Sequence, residues 1–226
     1  MQIGTKQQRK CMQKIRRSLF WLWMLCSLAG MYYTAQWTET MQDCLVLYDH
    51  LQEQDAGRWL KPLLQEMRAF PVQKVGKTAT QWNYEDSYGD PREYGGRRSH
   101  QGIDIMAVQD EAGRLPVCSV SDGTVEKIGW LPLGGYRIGI RSVSGLYYYY
   151  AHLDSYAEGI TVGTTVYAGQ VIGRMGDTGY GEEGTRGKFP VHLHFGIYYE
   201  QEKEEKSLDP FYLLRYVECG KIQEDR

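Results

Sequence analysis

The sequence predicts a mainly β protein, folded as an antiparallel β sandwich or sheet. Tyrosine and glycine are abundant, with 18 and 26 residues in a chain of 226, and aromatic residues favour strands. From residue 102 to residue 199, short segments of alternating apolar and polar residues are separated by turn sequences such as Asp122-Gly123 and Ser144-Gly145. Few helical periodicities interrupt these segments, which is typical of antiparallel rather than parallel strands.

The predicted domain covers residues 82–217 and is followed by a tail, residues 218–226. The charged run at residues 200–206 predicts a solvated loop, and residues 208–217 predict a short closing helix. The strands are predicted at residues 102–108, 117–120, 124–130, 136–142, 146–152, 166–167, 171–175 and 191–199.

The N-terminal segment predicts a membrane anchor. Residues 1–18 include several basic and no acidic side chains, and residues 19–35 are uncharged. As a helix the uncharged run would be about 25 Å long, slightly short of a hydrocarbon layer of about 30 Å, and aromatic residues up to Trp37 extend it. We therefore predict a cytoplasmic segment at residues 1–18 and a transmembrane helix at residues 19–37.

The charge distribution places the rest of the chain outside the cytoplasm, because basic flanks stay on the cytoplasmic side of a membrane. The protein would then be a single-pass protein of the cell membrane with an extracytoplasmic main domain. A cleaved signal peptide is the alternative, since Ser27-Leu28-Ala29 offers small residues for cleavage. Both alternatives export everything that follows.

Residues 38–81 are predicted to form a helical stalk and linker. Apolar residues recur at three-to-four spacing up to Phe70, and Asp55-Ala56-Gly57 is expected to divide the stretch into two helices. Two roles are open for these helices. They form a stalk that binds an extracytoplasmic protein partner, or they pack against the main domain.

Composition argues against several classes of function. A net charge of −2, with no long basic stripe beyond the N-terminal segment, gives no indication of a nucleic-acid partner. The five cysteines have no C-x-x-C spacing, so a zinc knuckle or a redox motif is a poor match. A single disulfide among Cys44, Cys118 and Cys219 stays open if these positions are extracytoplasmic.

Four of the five histidines lie on predicted strands or at their ends. His192 and His194 share one face of a strand, because side chains alternate with a period of two. His100 and Asp104, four residues apart on another strand, also share a face, and His152 ends a tyrosine-rich strand. Each motif alone most often means a half-buried histidine bonded to the backbone. Together they include a set of zinc ligands, and three protein ligands leave a position for water, as in catalytic sites.

The chain resembles the lysostaphin/LytM-type zinc metallopeptidases of bacterial cell walls. The motifs His100-Gln-Gly-Ile-Asp104, Tyr150-Ala-His152-Leu153 and His192-Leu-His194-Phe195 stand in the order found in that family. The turns Asp122-Gly123 and Gly176-Asp-Thr-Gly179 agree as well. The resemblance covers about residues 82–214, and it implies a groove along the sheet.

The resemblance implies that His100, Asp104 and His194 bind one Zn²⁺ ion, while His152 and His192 are uncoordinated catalytic imidazoles. The implied function is a zinc metalloendopeptidase that hydrolyses peptide bonds in peptidoglycan cross-links or stem peptides. The alternative is a non-catalytic or weakly catalytic extracytoplasmic scaffold that keeps the fold and binds a partner. A glycan hydrolase would need paired carboxylates, and no persuasive pair is present.

Two further features bear on substrate binding. Tyr94, six residues before His100, is a candidate oxyanion donor. The loop at residues 181–190 is longer than the family's usual turn before the H-L-H strand, and it would edge the groove. We therefore expect a choice of substrate that differs from that of other family members.

Overall fold

The computed structural model describes residues 18, 20–35, 42, 45, 46, 49, 51, 56–77 and 80–224, with side chains described as far as residue 218. The chain divides into two compact units, residues 1–42 and residues 43–226. In the first unit, residues 20–35 are helical. Within the described ranges, no helix is both long and apolar enough to cross a membrane.

Several predictions fall on positions outside the described residues. Residues 1–17, residue 19 and residues 36–37 of the predicted cytoplasmic segment and anchor are among them, as is most of the first predicted stalk helix. The same holds for Cys44 and the side chain of Cys219, so the disulfide stays a prediction.

The second unit is mainly β, as predicted. Its described helices are a 3-10 turn at Gly57–Trp59, α1 at Leu60–Glu66 and α2 at Phe211–Glu224. The strands are β1 Trp82–Asn83, β2 Pro91–Arg92, β3 Arg98–Ser99, β4 Ile103–Ala107, β5 Pro116–Cys118, β6 Gly123–Leu131, β7 Gly135–Arg141, β8 Tyr147–Tyr156, β9 Thr165–Val166, β10 Val171–Met175, β11 His192–Gln201 and β12 Glu204–Leu208.

Ten strands form one sheet, and every strand pair in the described part of the chain is antiparallel. Its main path runs β1-β4-β11-β8-β7-β6-β9, with β12 beside β11 and β10 joining β5 to β8. Strand β11 lies between β4 and β8, so that His194 is opposite Asp104 on one side and Ala151 on the other. Strands β2 and β3 form a separate hairpin.

The apolar core lies on one face of the central strands. Leu193, Phe195 and Ile197 of β11 are fully buried, as are Ile103 and Ile105 of β4. Burying such a side chain stabilises the fold by about 1.5–3 kcal/mol. Because strand side chains alternate, the residues between them, including the histidines of β11, lie on the opposite face.

Residues 56–72 pack into this core. Leu63, Met67 and Phe70 are buried there, and the ring of Phe70 stacks on Trp82 with centroids 5.3 Å apart. The amide of Arg68 donates to the carbonyl of Val120 at 2.9 Å. Of the two roles left open for the predicted stalk, these contacts match packing against the main domain.

The charged run at residues 200–206 was predicted to be a loop, and that prediction was wrong. Most of it belongs to the hairpin of β11 and β12, with a turn at Glu202 and Lys203, both at positive φ. The charged residues of β12 are exposed, so charge correctly indicated solvation but not the backbone conformation. The closing helix begins at Phe211 rather than 208, because the Asp209 carboxylate accepts the Phe211 amide at 2.9 Å, as an N-cap does.

Candidate active site

The pairing of β4 with β11 places Asp104 opposite His194. His100 was predicted to share a strand with Asp104, but it lies between β3 and β4 and reaches the other two ligands from there. Nε2 of His100 lies 2.9 Å from Nδ1 of His194 and 3.0 Å from Oδ1 of Asp104. The last two atoms are 3.0 Å apart. Gly102 makes this approach feasible, since a Cβ there would collide with the Phe195 carbonyl and the His194 ring.

This trio fits a zinc ion. Two imidazole nitrogens and one carboxylate oxygen are ordinary zinc ligands, and at metal–ligand distances of about 2.0 Å the edges of a tetrahedron are about 3.3 Å long. The observed separations of 2.9–3.0 Å lie close to that value. Among the residues that the structure describes, His100, Asp104 and His194 are the histidine, cysteine or acidic side chains that lie close enough together to hold a metal ion.

Two residues that sequence reasoning missed orient the trio. Nδ1 of His100 lies 2.8 Å from the carbonyl of Ser87 and 2.9 Å from Nη2 of Arg92. When Nδ1 donates to the Ser87 carbonyl, the lone pair of Nε2 faces the other two ligands. Arg92 donates to Oδ2 of Asp104 at 2.7 Å, leaving Oδ1 to face the histidines. Such outer contacts fix ligand orientation in metal sites. Both residues lie in the turn-rich segment before the domain's first long strand, where no periodicity identifies them.

The protonation states also suit metal binding. Burial tends to raise the pKa of Asp104, but its close contacts with the His100 and His194 side chains outweigh that effect and hold the pKa well below its usual range. Burial lowers the pKa of His194, against the opposing effect of Asp104. An ionised carboxylate beside neutral imidazole is the state that a metal ion requires.

His152 and His192 form a second pair beside the trio, with ring centroids 4.6 Å apart. Nδ1 of His152 donates to the Thr178 carbonyl at 2.7 Å, and Nδ1 of His192 donates to the Pro190 carbonyl at 2.8 Å. Both rings therefore keep Nε2 unprotonated. His152 adopts a φ of 61°, a conformation that non-glycine residues rarely adopt and that is common at functional sites.

Burial holds the pKa of His152 well below its usual range, and the neighbouring His192 and His194 lower it further. Burial lowers the pKa of His192 as well, against the opposing charge of Asp104. Both imidazoles are thus neutral near pH 7 and can accept a proton.

The long loop at residues 181–190 contacts this pair through an aromatic ring that sequence reasoning missed. Phe189 packs edge-on against His152 and His192, with centroid distances of 4.6 and 4.9 Å. Tyr180 packs against Phe189 at 4.8 Å. The loop therefore contacts the imidazole pair, whereas none of its residues is among those that line the groove.

Tyr94 lies at the same edge. Its ring stacks on Tyr180 with centroids 4.1 Å apart, and its hydroxyl donates to the Tyr180 carbonyl at 2.7 Å. The hydroxyl is engaged by the loop in this structure, and a role as oxyanion donor stays a prediction.

A groove of about 500 Å³ opens beside the histidines. His152 and His194 lie at one part of its wall, and Tyr147, Tyr149 and Tyr198 continue it across the sheet. An extended peptide could lie along such a groove with one bond beside the trio.

Residues 98–210 match the model of peptidase family M23. The chain belongs to this family. The matched range includes all five predicted site residues of this M23 chain. The crystal structure of a Ruminococcus gnavus protein, provisionally described as the glycyl-glycine endopeptidase LytM, superimposes with a TM-score of 0.66 and 47% identity over 77% of this chain and 71% of that one.

Two characterised proteins are similar to this M23 chain. An L-Ala–D-Glu endopeptidase of Bacillus subtilis is 46% identical over 158 residues, which is 70% of this chain and 46% of that protein. Lysostaphin of Staphylococcus simulans is 32% identical over 149 residues, 63% of this chain and 28% of lysostaphin. The chain thus spans less than half the length of either relative.

Proposed function

We propose that this protein is a zinc-dependent endopeptidase that hydrolyses peptide bonds in peptidoglycan cross-links or stem peptides. The observation that carries the proposal is the convergence of a ligand trio and two buried neutral imidazoles on one side of a groove. A scaffold needs no such pair beside a metal site. Membership of family M23 and the named activities of the similar proteins support the same function.

His100, Asp104 and His194 would hold the ion, which when bound supplies a Lewis acid that activates water and polarises the scissile carbonyl. Nε2 of His152 and of His192 face the reaction with their lone pairs. One of these imidazoles accepts the proton of the attacking water at Nε2, and that proton then passes to the leaving amine, directly or by way of the other imidazole. The Thr178 and Pro190 carbonyls stabilise the imidazolium form through the Nδ1 protons.

The proposal includes export and anchoring. The basic segment at residues 1–18, the uncharged run after it and the exposed apolar side chains of the helical residues, such as Trp21, Trp23 and Leu25, support a membrane anchor. Mass spectrometry of the native N terminus tests this. A mature chain that begins near Gly30 would instead show a cleaved signal peptide. Co-purification from membranes would reveal a partner bound through the predicted stalk, residues 38–81.

Digestion of defined peptidoglycan tests the activity directly. The purified full-length chain with zinc should release muropeptides whose masses identify the cleaved bond, and a chelator should abolish the release. A zinc-loaded chain that releases no peptide but retains a tight extracytoplasmic partner would refute the enzyme and favour the scaffold.

A further inference from the structure

The groove beside the histidines is strongly basic. Arg98, Lys127 and Arg137 line it, against a single acidic lining residue, Glu205. Since the whole chain has a slight negative charge, this concentration of cations does not follow from overall composition. An uncompensated cationic groove attracts anionic ligands.

The two arginines have buried nitrogens without partners. Nε of Arg98 and Nη1 of Arg137 are buried and have no hydrogen-bond partner among the described residues. Within the same part of the chain, neither arginine forms an ion pair. Arg141, four residues farther along β7, provides the contrast, because its guanidinium pairs with both oxygens of Glu126 at 2.6 and 3.0 Å.

A buried guanidinium nitrogen without a partner is costly, because it has lost water and gained no hydrogen bond. Arg141 on the same strand, in contrast, has a carboxylate partner within the fold. The unpartnered nitrogens of Arg98 and Arg137 therefore indicate that a bound ligand supplies their hydrogen-bond acceptor. Guanidinium groups bind carboxylates with two parallel hydrogen bonds, which lysine does not match.

The position of the arginines relates them to the reaction. The ring of Tyr149 lies 5.9 Å from the ring of His194. Burial raises the pKa of Tyr149 to about 12, while the positive charges of Arg137 and Arg98 oppose the rise, so both guanidinium groups lie near this phenol. Both arginines and His194 line the same groove, so a peptide bound along it beside His194 can also contact the arginines.

We infer that Arg98 and Arg137 form a subsite for a substrate carboxylate carried by a residue at or next to the scissile bond. This inference rests on the proposed endopeptidase function and specifies its substrate class. The preferred bond is one such as L-Ala–D-Glu, in which the second residue keeps a carboxylate, rather than a neutral glycyl-glycine bond.

A matched pair of peptides tests the subsite. Both contain an L-Ala–D-Glu bond, and they differ only in whether the remaining glutamate carboxylate is free or amidated. For the zinc-loaded full-length chain, kcat/KM should be on the order of 10- to 100-fold higher for the free acid, as expected for a charged hydrogen-bonded contact. In the Arg98→Gln/Arg137→Gln variant this ratio should fall toward one.

Two variants control for unrelated effects. Arg137→Lys keeps the charge and should retain part of the preference. Arg174→Gln removes an exposed arginine that bonds to the carbonyls of Gly113 and Arg114, away from the groove lining, and it should leave the ratio at the wild-type value. If the double variant does not fold by circular dichroism, the Arg137→Gln variant alone decides the outcome.

Calorimetry separates this inference from the proposed function. The chelated chain should bind the free-acid peptide more tightly than the amidated one, and the arginine variants should lose that difference. If the zinc-loaded chain cuts neither peptide but this binding difference is present, the endopeptidase proposal fails and the carboxylate subsite stands. Equal binding and equal cleavage of the two peptides by the wild-type chain would overturn the subsite.

Discussion

The ligand trio and the imidazole pair are adjacent, but different parts of the fold hold them. The trio depends on the register between β4 and β11, in which Asp104 lies opposite His194. The imidazole pair depends on loop carbonyls and on the ring of Phe189. A hydrogen-bonded ladder between central strands is among the most stable parts of a fold, whereas loops open more readily. We therefore expect metal binding to tolerate changes that impair the chemical step.

Loss of a ligand should have the largest effect. His194→Ala removes one of the three proposed metal ligands. Zinc content and activity should therefore fall together, by more than the roughly 10- to 100-fold typical of an outer-contact partner. Metal analysis and muropeptide release measure the two quantities. Normal activity of this variant would refute the assignment of the trio.

Loss of a proposed catalytic imidazole should impair the chemical step without impairing metal binding. His152→Ala should lower kcat by about 10²- to 10⁴-fold, the usual contribution of a general acid or base, while zinc content stays near one ion per chain. Metal analysis beside steady-state kinetics checks this. If the variant loses zinc in proportion to activity, His152 belongs with the ligands instead.

A change at Arg92 tests whether its hydrogen bond to Asp104 strengthens metal binding by the trio. Arg92→Gln should weaken zinc affinity by about 10- to 100-fold, because Asp104 loses the partner that orients it. With zinc in excess, kcat should recover, and competition with a chromogenic chelator measures the affinity. An unchanged affinity would mean that strand register alone orients Asp104.

A change at Phe189 tests whether the loop supports the imidazole pair independently of metal binding. Phe189→Leu removes the edge-on contacts with His152 and His192, and contacts of this kind contribute about 0.5–1.5 kcal/mol. We expect kcat to fall by about 2- to 10-fold with no change in zinc affinity. A loss of zinc affinity equal to the loss in kcat would show that the two regions are not independent.

The stability of the metal-free chain should depend on pH through the buried histidines. Their pKa values in the folded state are lowered, so the unfolded state binds more protons once the pH falls below about 6.5. The thermal midpoint in chelator should therefore decrease between pH 7 and pH 5, before carboxylates such as Asp104 begin to titrate. His152→Gln should make this decrease in the thermal midpoint smaller. A thermal midpoint that rises as the pH falls would contradict the lowered pKa values of the buried histidines.

Much of the β architecture was evident from local patterns. Strands were predicted at every long strand of the sheet, because alternation of apolar and polar residues directly reflects one buried and one open face. The hairpin of β11 and β12 was missed for the complementary reason. Its residues 200–206 are charged and exposed, and such residues occur equally in loops and in edge strands.

Residues that orient the site were the least predictable. Arg92 lies in a two-residue strand, and Phe189 lies in a loop. Neither belongs to a repeating pattern, because the chain path, not the local sequence, brings each of them to the histidines. The unpaired nitrogens of Arg98 and Arg137 were equally invisible, since a missing partner can be recognised only when all neighbours are known.

The sequence by itself indicated the fold class, because period-two alternation is a local property. The five candidate site residues came from the family resemblance, which rests on the order of the motifs. The alternation also placed His192 and His194 on one face of the same strand. The resemblance already implied that His194 rather than His192 joins Asp104, and the tertiary structure supplied the physical reason by placing His194 opposite Asp104. That choice depends on the register of β4 against β11, a long-range hydrogen-bond pattern that no spacing within one strand encodes.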